Sequence, residues 1–356
     1  MKISEFLNKE NNNLDLVRIL LACLVIIGHS KVLNGTGGHW IDPIEHFFGF
    51  TYSGAFAVKL FLFISGMVVA NSYLSKRSPV YFIISRFFRI LPALFFVLFV
   101  TVFIFGPLLT KYSLSDYFSQ LNNFAYIRNN MVFYSDYFLP GVFNENLYPN
   151  IVNGSLWSLR YEVGCYAMLL ILFLLLGNRS KNLFIIPILL IMVDSLLPTR
   201  YLLRFIDDNP EKYLLPLCFS YGVFFAVFKE KIKITIYVVI VSILIFLLFK
   251  DTSYADIAFI FTSCNIMIYL SSRAPVLKLK PKHDISYGIY LWGFLIQQTL
   301  FYLLGSIYIG FHALISILVS ILFAYVSYVY VEMPFMKIGK SIIRLYEQRK
   351  AINKTI

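Results

Sequence analysis

Apolar runs of roughly 17 to 25 residues recur along this chain from Leu14 almost to its C-terminus, separated by short polar breaks. A helix rises 1.5 Å per residue, so each run is long enough to cross a hydrocarbon layer of ~30 Å. The pattern predicts about ten spans, at approximately 14–33, 50–72, 87–109, 155–177, 182–198, 212–229, 232–249, 255–272, 284–305 and 307–335. The bilayer core offers no partner to backbone N–H and C=O groups, so unbroken segments of this length are helices. The expected fold is all-α: a polytopic transmembrane helical bundle of about ten helices.

No fixed-period repeat and no Gly/Ser- or Pro-rich linker divides the chain. One membrane domain over residues 1–340 is expected, followed by a basic cytoplasmic tail, 341–356. The long break at approximately 110–153 is rich in Asn, Tyr, Phe and Ser, with turn signals at Pro140-Gly141 and Tyr148-Pro149. Its aromatics and amides suit stacking on, and hydrogen bonding to, sugar rings; an interfacial aromatic belt is the equal alternative.

Composition excludes an ordinary soluble domain: 59% of residues are hydrophobic, 14% are charged and the mean hydropathy is +0.73. The net charge of +12 is distributed by side. With the N-terminus inside, one set of breaks holds Lys76, Arg77, Arg86 and Arg89, Arg179 and Lys181, Lys229, Lys231 and Lys233, and Arg273, Lys278, Lys280 and Lys282. The tail adds Lys337, Lys340, Arg344, Arg349, Lys350 and Lys354. The opposite breaks hold only Lys31, Lys111, Arg128, Arg200, Arg204, Lys212 and Lys250. That asymmetry predicts two cytoplasmic termini and needs no nucleic-acid partner. Cys23, Cys165, Cys218 and Cys264 fall inside apolar runs without metal-ligand spacing and are expected to pack. The first run lacks a small-residue cleavage site after Gly28-His29-Ser30-Lys31 and reads as a mature helix.

Ionisable residues at membrane depth cost a few kcal/mol each unless paired or set beside a cavity. Asp15, Arg18, His29, Lys59, Arg86, Arg89, Arg160, Glu162 and Glu332 are of this kind. At 100° per residue, Arg18 and His29 share one face of the first helix, roughly 16 Å apart along its axis. An extended pantetheine arm spans about 15–20 Å, so a CoA thioester held by its phosphates near Arg18 would bring its acyl carbon near His29. The bland alternative has Arg18 snorkelling to headgroups and His29 at the far interface. Arg86 and Arg89 lie on one flank of the third helix, where guanidinium forks suit phosphate; positive-inside retention explains them equally well. Asn153 or Ser155 can cap the fourth span, Trp157 suits an interface, and Glu162 then sits a turn or two inside. Its neighbour Arg160 points to a different face, so a partner on another helix is expected, with His29 the candidate.

Six pieces in order resemble the membrane-bound acyltransferase-3 family of bacterial surface-polysaccharide O-acyltransferases. They are Arg18-x10-His29, Phe61-Leu62-Phe63-Ile64-Ser65-Gly66, Arg86-x2-Arg89-Ile90-x-Pro92, Ser155-Leu156-Trp157-Ser158-Leu159-x2-Glu162, Ile285-Ser286-Tyr287-Gly288-Ile289-Tyr290-Leu291-Trp292, and Val331-Glu332-x-Pro334-Phe335. The resemblance implies a multi-pass protein of a bacterial inner membrane that uses acetyl-CoA as donor and no metal. Its acceptor would be a carbohydrate outside the cytoplasmic membrane, in capsule, exopolysaccharide or lipopolysaccharide, and a homo-oligomer is compatible with such a bundle. It makes His29 and Glu162 catalytic, Arg18, Arg86 and Arg89 donor-binding, and Trp157, Tyr287 and Tyr290 substrate-binding. The chain departs from the family pattern at Gly293, where many members carry a His, and at Lys59, where many carry an acid. No esterase-like domain follows, so transfer is expected to finish within the membrane core. In the proposed chemistry His29 takes a proton from the acceptor hydroxyl while Glu162 orients the imidazole. The rival class is a transporter or lipid-linked-sugar flippase, which also needs buried charges but predicts internal repeats and broken helices.

Overall fold

Runs of Leu, Ile, Val and Phe this long can only satisfy their backbone internally, and the computed structural model does so with helices throughout. It describes residues 1–35, 41–176, 181–207 and 209–355, less the side chains of 181–184, 210 and 351–355. Arg179 and the side chains of Lys181 and Lys354, assigned above to cytoplasmic segments, lie outside the described set. The longer helices are α1 Leu14–Asn34, α2 Ser53–Lys76, α3 Pro79–Val100, α4 Asn122–Met131, α5 Leu159–Leu176 and α6 Lys181–Asp194, then α7 Pro210–Val227, α8 Ile236–Phe249, α9 Ala255–Ser271, α10 Ser286–Leu304, α11 Ile309–Ser327 and α12 Met333–Thr355. Among the described residues strand-type pairing is confined to two isolated bridges, Lys2 with Lys233 and Thr110 with Val142.

Among the described residues, five helical segments are long and apolar enough to cross a membrane: Leu14–Asn34, Ser53–Lys76, Pro79–Leu109, Gly154–Leu176 and Ile309–Lys350. Several other apolar runs form helices shorter than their sequence suggested. The run at 182–198 ends as a helix at Asp194, whose carboxylate accepts from the Leu202 and Leu203 N–H groups at 3.1 and 3.0 Å and turns the chain. The last run does the opposite. A π-turn at Tyr328–Glu332 carries α11 directly into α12, past the expected end near 335. Pro334 has no N–H to donate, and the widened turn just before it is where the hydrogen-bond ladder changes register.

One compact unit comprises Met1–Gly28, Ile41–Ser75 and Tyr161–Ser286. Its N-terminal residues lie along the Lys229–Ile234 connection, with Ile3 N–H donating to Ile232 O and Ile234 N–H to Met1 O. Asn13 reaches the segment after α9, its side chain donating to Val276 O at 2.6 Å. These basic connections therefore share one face of the unit with the chain start.

Helices α2 and α7 touch backbone to backbone. A Cβ on Gly66 would fall 2.1 Å from Phe219 O, and one on Gly222 would fall 2.1 Å from Phe63 O. Either Gly→Ala change must push the helices apart, and we expect a loss of about 1–3 kcal/mol, read as a lower unfolding temperature in detergent. Near the α7 start, Lys59 pairs with Glu211 at 2.5 Å and Arg200 lies 3.7 Å from Asp256.

The Tyr161 hydroxyl, 2.6 Å from Asp207, holds that carboxyl below the usual carboxylate range against partial burial, with help from Asn209 N–H and Lys212. A depressed folded pKa stabilises above the unfolded value of about 4 and loses that contribution as pH falls through the folded value. Tyr161→Phe should therefore be less stable than the parent near neutral pH, with the deficit closing below about pH 4. Unfolding series at several pH values in detergent would reveal it.

The other unit comprises His29–Trp40, Lys76–Arg160 and Tyr287–Ile356. Its core joins Leu94 and Val97 of α3 to Leu291, Trp292 and Leu295 of α10, and includes residues of the 110–153 break. That break is not an open loop. Tyr117, Tyr126, Leu139 and Phe143 are buried, and the Tyr117 hydroxyl donates at 3.0 Å to Val102 O, inside the π-turn Thr101–Phe105 that extends α3. Burial pushes the Tyr117 and Tyr126 hydroxyls well above the usual tyrosine range. Tyr134, Phe138 and Tyr148 remain exposed and could still face a sugar or an interface.

Candidate active site

Helix α1 runs without a break from Leu14 to Asn34, so Arg18 and His29 stand on one continuous helix. Within the first unit, half-buried Arg18 meets Asp284 at 2.7 Å. Asp284 also accepts from the Ser286 N–H and hydroxyl at 3.2 and 2.5 Å, capping α10. The Arg18 guanidinium is thus anchored through one of its five N–H groups and keeps donors for an anionic ligand.

His29 belongs to the second unit. Its ring meets Phe294 of α10 edge-on, with centroids 5.3 Å apart, and its Nδ1 is buried with no hydrogen-bond partner among the described residues. Phe294 is itself wedged against Gly154, where a Cβ would come within 2.6 Å of the ring. Behind the imidazole, Gln297 Nε2 donates to Ser30 Oγ at 3.0 Å. His312 of α11, fully buried, has Nε2 placed to donate to Gln297 O at 3.1 Å. A polar group in an apolar wall tends to be satisfied; an imidazole nitrogen left open suits one that must accept a proton.

Arg89 meets Glu332 at 3.1 Å, and its guanidinium lies 6.0 Å from the Tyr287 ring centroid. The Tyr287 hydroxyl donates to Ile90 O at 3.2 Å, linking α10 to the α3 backbone. Glu332 is 1% exposed and sits on the π-turn before α12. Arg86 is half-buried on the same helix. The structure thus brings Arg89, Glu332 and Tyr287 together.

The fourth span opens with a tight 3₁₀ turn, Gly154–Ser158, rather than directly as α-helix. Asn153 accepts from Ser155 N–H at 3.3 Å and donates to Leu291 O at 2.8 Å. The Tyr290 hydroxyl donates to Ser155 O at 2.6 Å and lies 2.6 Å from Ser158 Oγ, so it ties α10 to this turn. Trp157 is half-buried there and Arg160 exposed. Glu162 falls in the first unit, whereas His29 belongs to the second. Within its own unit it accepts hydrogen bonds from Ser65, at 3.0 Å, and from Tyr166.

In each unit, then, titratable groups and hydroxyls are set into apolar helices: Arg18 and Arg89 are held by carboxylates, and His29 Nδ1 has no hydrogen-bond partner among the described residues. Residues 11–329 match the acyltransferase-3 family, described as an acyltransferase domain. The chain belongs to that family. An O-acetyl transferase of Shigella phage Sf6 is 26% identical over 341 residues, covering 92% of this chain and 96% of that protein. Nodulation protein 10 of Rhizobium leguminosarum bv. viciae is 24% identical over 375 residues, covering 96% and 97%. No solved structure matches significantly.

By its family the chain is an acyltransferase rather than a transporter, and it has helices long and apolar enough to cross a membrane. Sequence reasoning passed over three residues that the acyltransferase sets against or beside its candidate groups, Asp284, Gln297 and Tyr166, and gave no role to Ser65 although it stands in one of the six motif pieces. For Asp284 a signal existed, since Asp-Ile-Ser before an apolar run is a helix-start pattern. Tyr166 follows Glu162 by four residues, one helical turn on the same face. Nothing local marked Gln297.

Proposed function

We propose that this acyltransferase takes an acyl group, most simply acetyl, from acyl-CoA at the cytoplasmic face and transfers it to a hydroxyl of a carbohydrate outside the membrane. The observation that carries the reading is His29: a titratable ring in an apolar wall, one nitrogen open, on the same continuous helix as Arg18. Arg18, Arg86 and Arg89 hold the donor phosphates, and Trp157, Tyr287 and Tyr290 line the acceptor side. The basic connections beside the N-terminus face the cytoplasm, and both termini with them. Shorter apolar helices complete a bundle of about ten crossings in a bacterial inner membrane.

The acceptor oxygen attacks the thioester carbonyl carbon while His29 takes the hydroxyl proton. The C–S bond breaks, and the thiolate leaves with the proton returned by the imidazolium, so no net charge is created. Glu162 stabilises the charged ring during that exchange. Fixing the donor at its phosphates lowers the entropic cost of alignment.

The test is to supply labelled acetyl-CoA to membranes containing the protein and analyse surface carbohydrate by mass spectrometry with and without it. Label on a sugar hydroxyl, present only with the protein, is expected. Consumption of acetyl-CoA with no labelled carbohydrate would sink the acceptor assignment. Labelled carbohydrate formed from another acyl donor alone would sink the CoA assignment.

A further inference from the structure

We propose that Ser65 and Tyr166 are positioning residues for Glu162, holding its carboxylate by one oxygen and leaving the other for its catalytic role. The proposal rests on the assignment of Glu162 made above. Tyr166 lies one turn from Glu162 on α5, and Ser65 reaches across from α2. Both hydroxyls converge on Oε1: Ser65 Oγ at 3.0 Å and Tyr166 OH still closer, with 2.5 Å between the two hydroxyl oxygens. No described contact goes to Oε2. One oxygen is crowded with donors while its twin is left open.

The local sequence explains why the arrangement is rigid. Gly66, next to Ser65, is where α2 meets the α7 backbone at Phe219, and Gly222 makes the reciprocal contact at Phe63 and Met67. Those contacts contain no side chain that could yield, so the height of Ser65 along α2 is fixed. Tyr166 is buried while Ser65 and Glu162 are half-buried, so the Glu162 side chain is not sealed off by its neighbours. Hydrogen bonds to a charged acceptor are about twice as strong as neutral ones, so two of them on one oxygen restrict the carboxylate rotamer. A group that must orient an imidazole needs that restriction, because loss of alignment costs rate directly.

A merely structural use of these hydroxyls, to satisfy polar atoms in lipid, would be indifferent to whether position 162 carries a charge. The experiment exploits that difference. Ser65→Ala, Ser65→Thr and Tyr166→Phe are made in the parent and in a Glu162→Gln background, and acyl transfer from labelled acetyl-CoA is measured in membranes. In the parent, Ser65→Ala and Tyr166→Phe should each lower kcat roughly ten-fold with KM for acetyl-CoA little changed. Ser65→Thr, which keeps the hydroxyl, should restore most of the rate. In the Glu162→Gln background neither removal should lower the residual rate further. Parent-like kcat in both single variants, or equal losses in the two backgrounds, would overturn the positioning role. Full activity of Glu162→Gln itself would instead remove the assignment on which it rests. If Tyr166→Phe fails to accumulate, the Ser65 pair decides alone.

Discussion

His29→Ala should abolish acyl transfer while leaving the protein in the membrane at its usual level. A positioned general base contributes about 10²–10⁴-fold, and the substitution also removes a buried ring nitrogen that has no hydrogen-bond partner among the described residues. The structural cost should be small, because the contacts of the ring that the structure describes are an edge-on contact with Phe294 and no hydrogen bond from Nδ1. The measurement is label transferred from acetyl-CoA to carbohydrate, set against protein abundance and thermal unfolding of the same preparation. Normal transfer by the variant would dismiss the histidine. Loss of transfer together with loss of protein would mean that the ring is holding the fold, and His29→Gln, which keeps much of the volume and a polar head, would then separate the two roles.

Glu211→Gln should destabilise the protein strongly without touching the proposed chemistry. Lys59 is 3% exposed, and its ammonium sits 2.5 Å from the Glu211 carboxylate and 3.4 Å from Thr51 Oγ1. Removing the countercharge strands a buried cation, a change that typically costs about 3–5 kcal/mol. Lys59→Met combined with Glu211→Leu removes both charges and should recover most of that loss, since a packed apolar pair is often as stable as a buried ionic one. Unfolding temperatures in detergent for the single and double variants are the readout. A single variant as stable as the parent would mean that the Lys59–Glu211 pair contributes nothing to stability.

The long helices were readable because their cause is local: length and unbroken apolarity suffice, and α1 and α2 fall within a few residues of their expected bounds. The ionisable residues stood out for the same reason, as exceptions within those runs. Their partners did not. Asp284 lies 266 residues from Arg18 and Glu332 lies 243 from Arg89, so neither pairing leaves a trace in local pattern. The 110–153 break misled for a related reason. Its aromatics alternate with polar residues as in an exposed loop, yet Tyr117 and Tyr126 find burial only against α3 and its π-turn. The extra length of α12 was hidden by Pro334, which normally argues for an ending.

Adjacent glutamines on α10 have a mechanical consequence. Gln297 reaches Ser30 beside the histidine, while the Gln298 amide donates to Tyr148 O and Ile151 O, each at 2.7 Å, and its carbonyl oxygen accepts from Asn146 at 2.8 Å. Neighbouring residues on a helix point about 100° apart, so a single shaft grips the 146–151 segment with one hand and the end of α1 with the other. Any pull on residues 146–151 becomes torque on that shaft. Displacement of that exposed segment is therefore transmitted, through one helix, to the residue beside the proposed base.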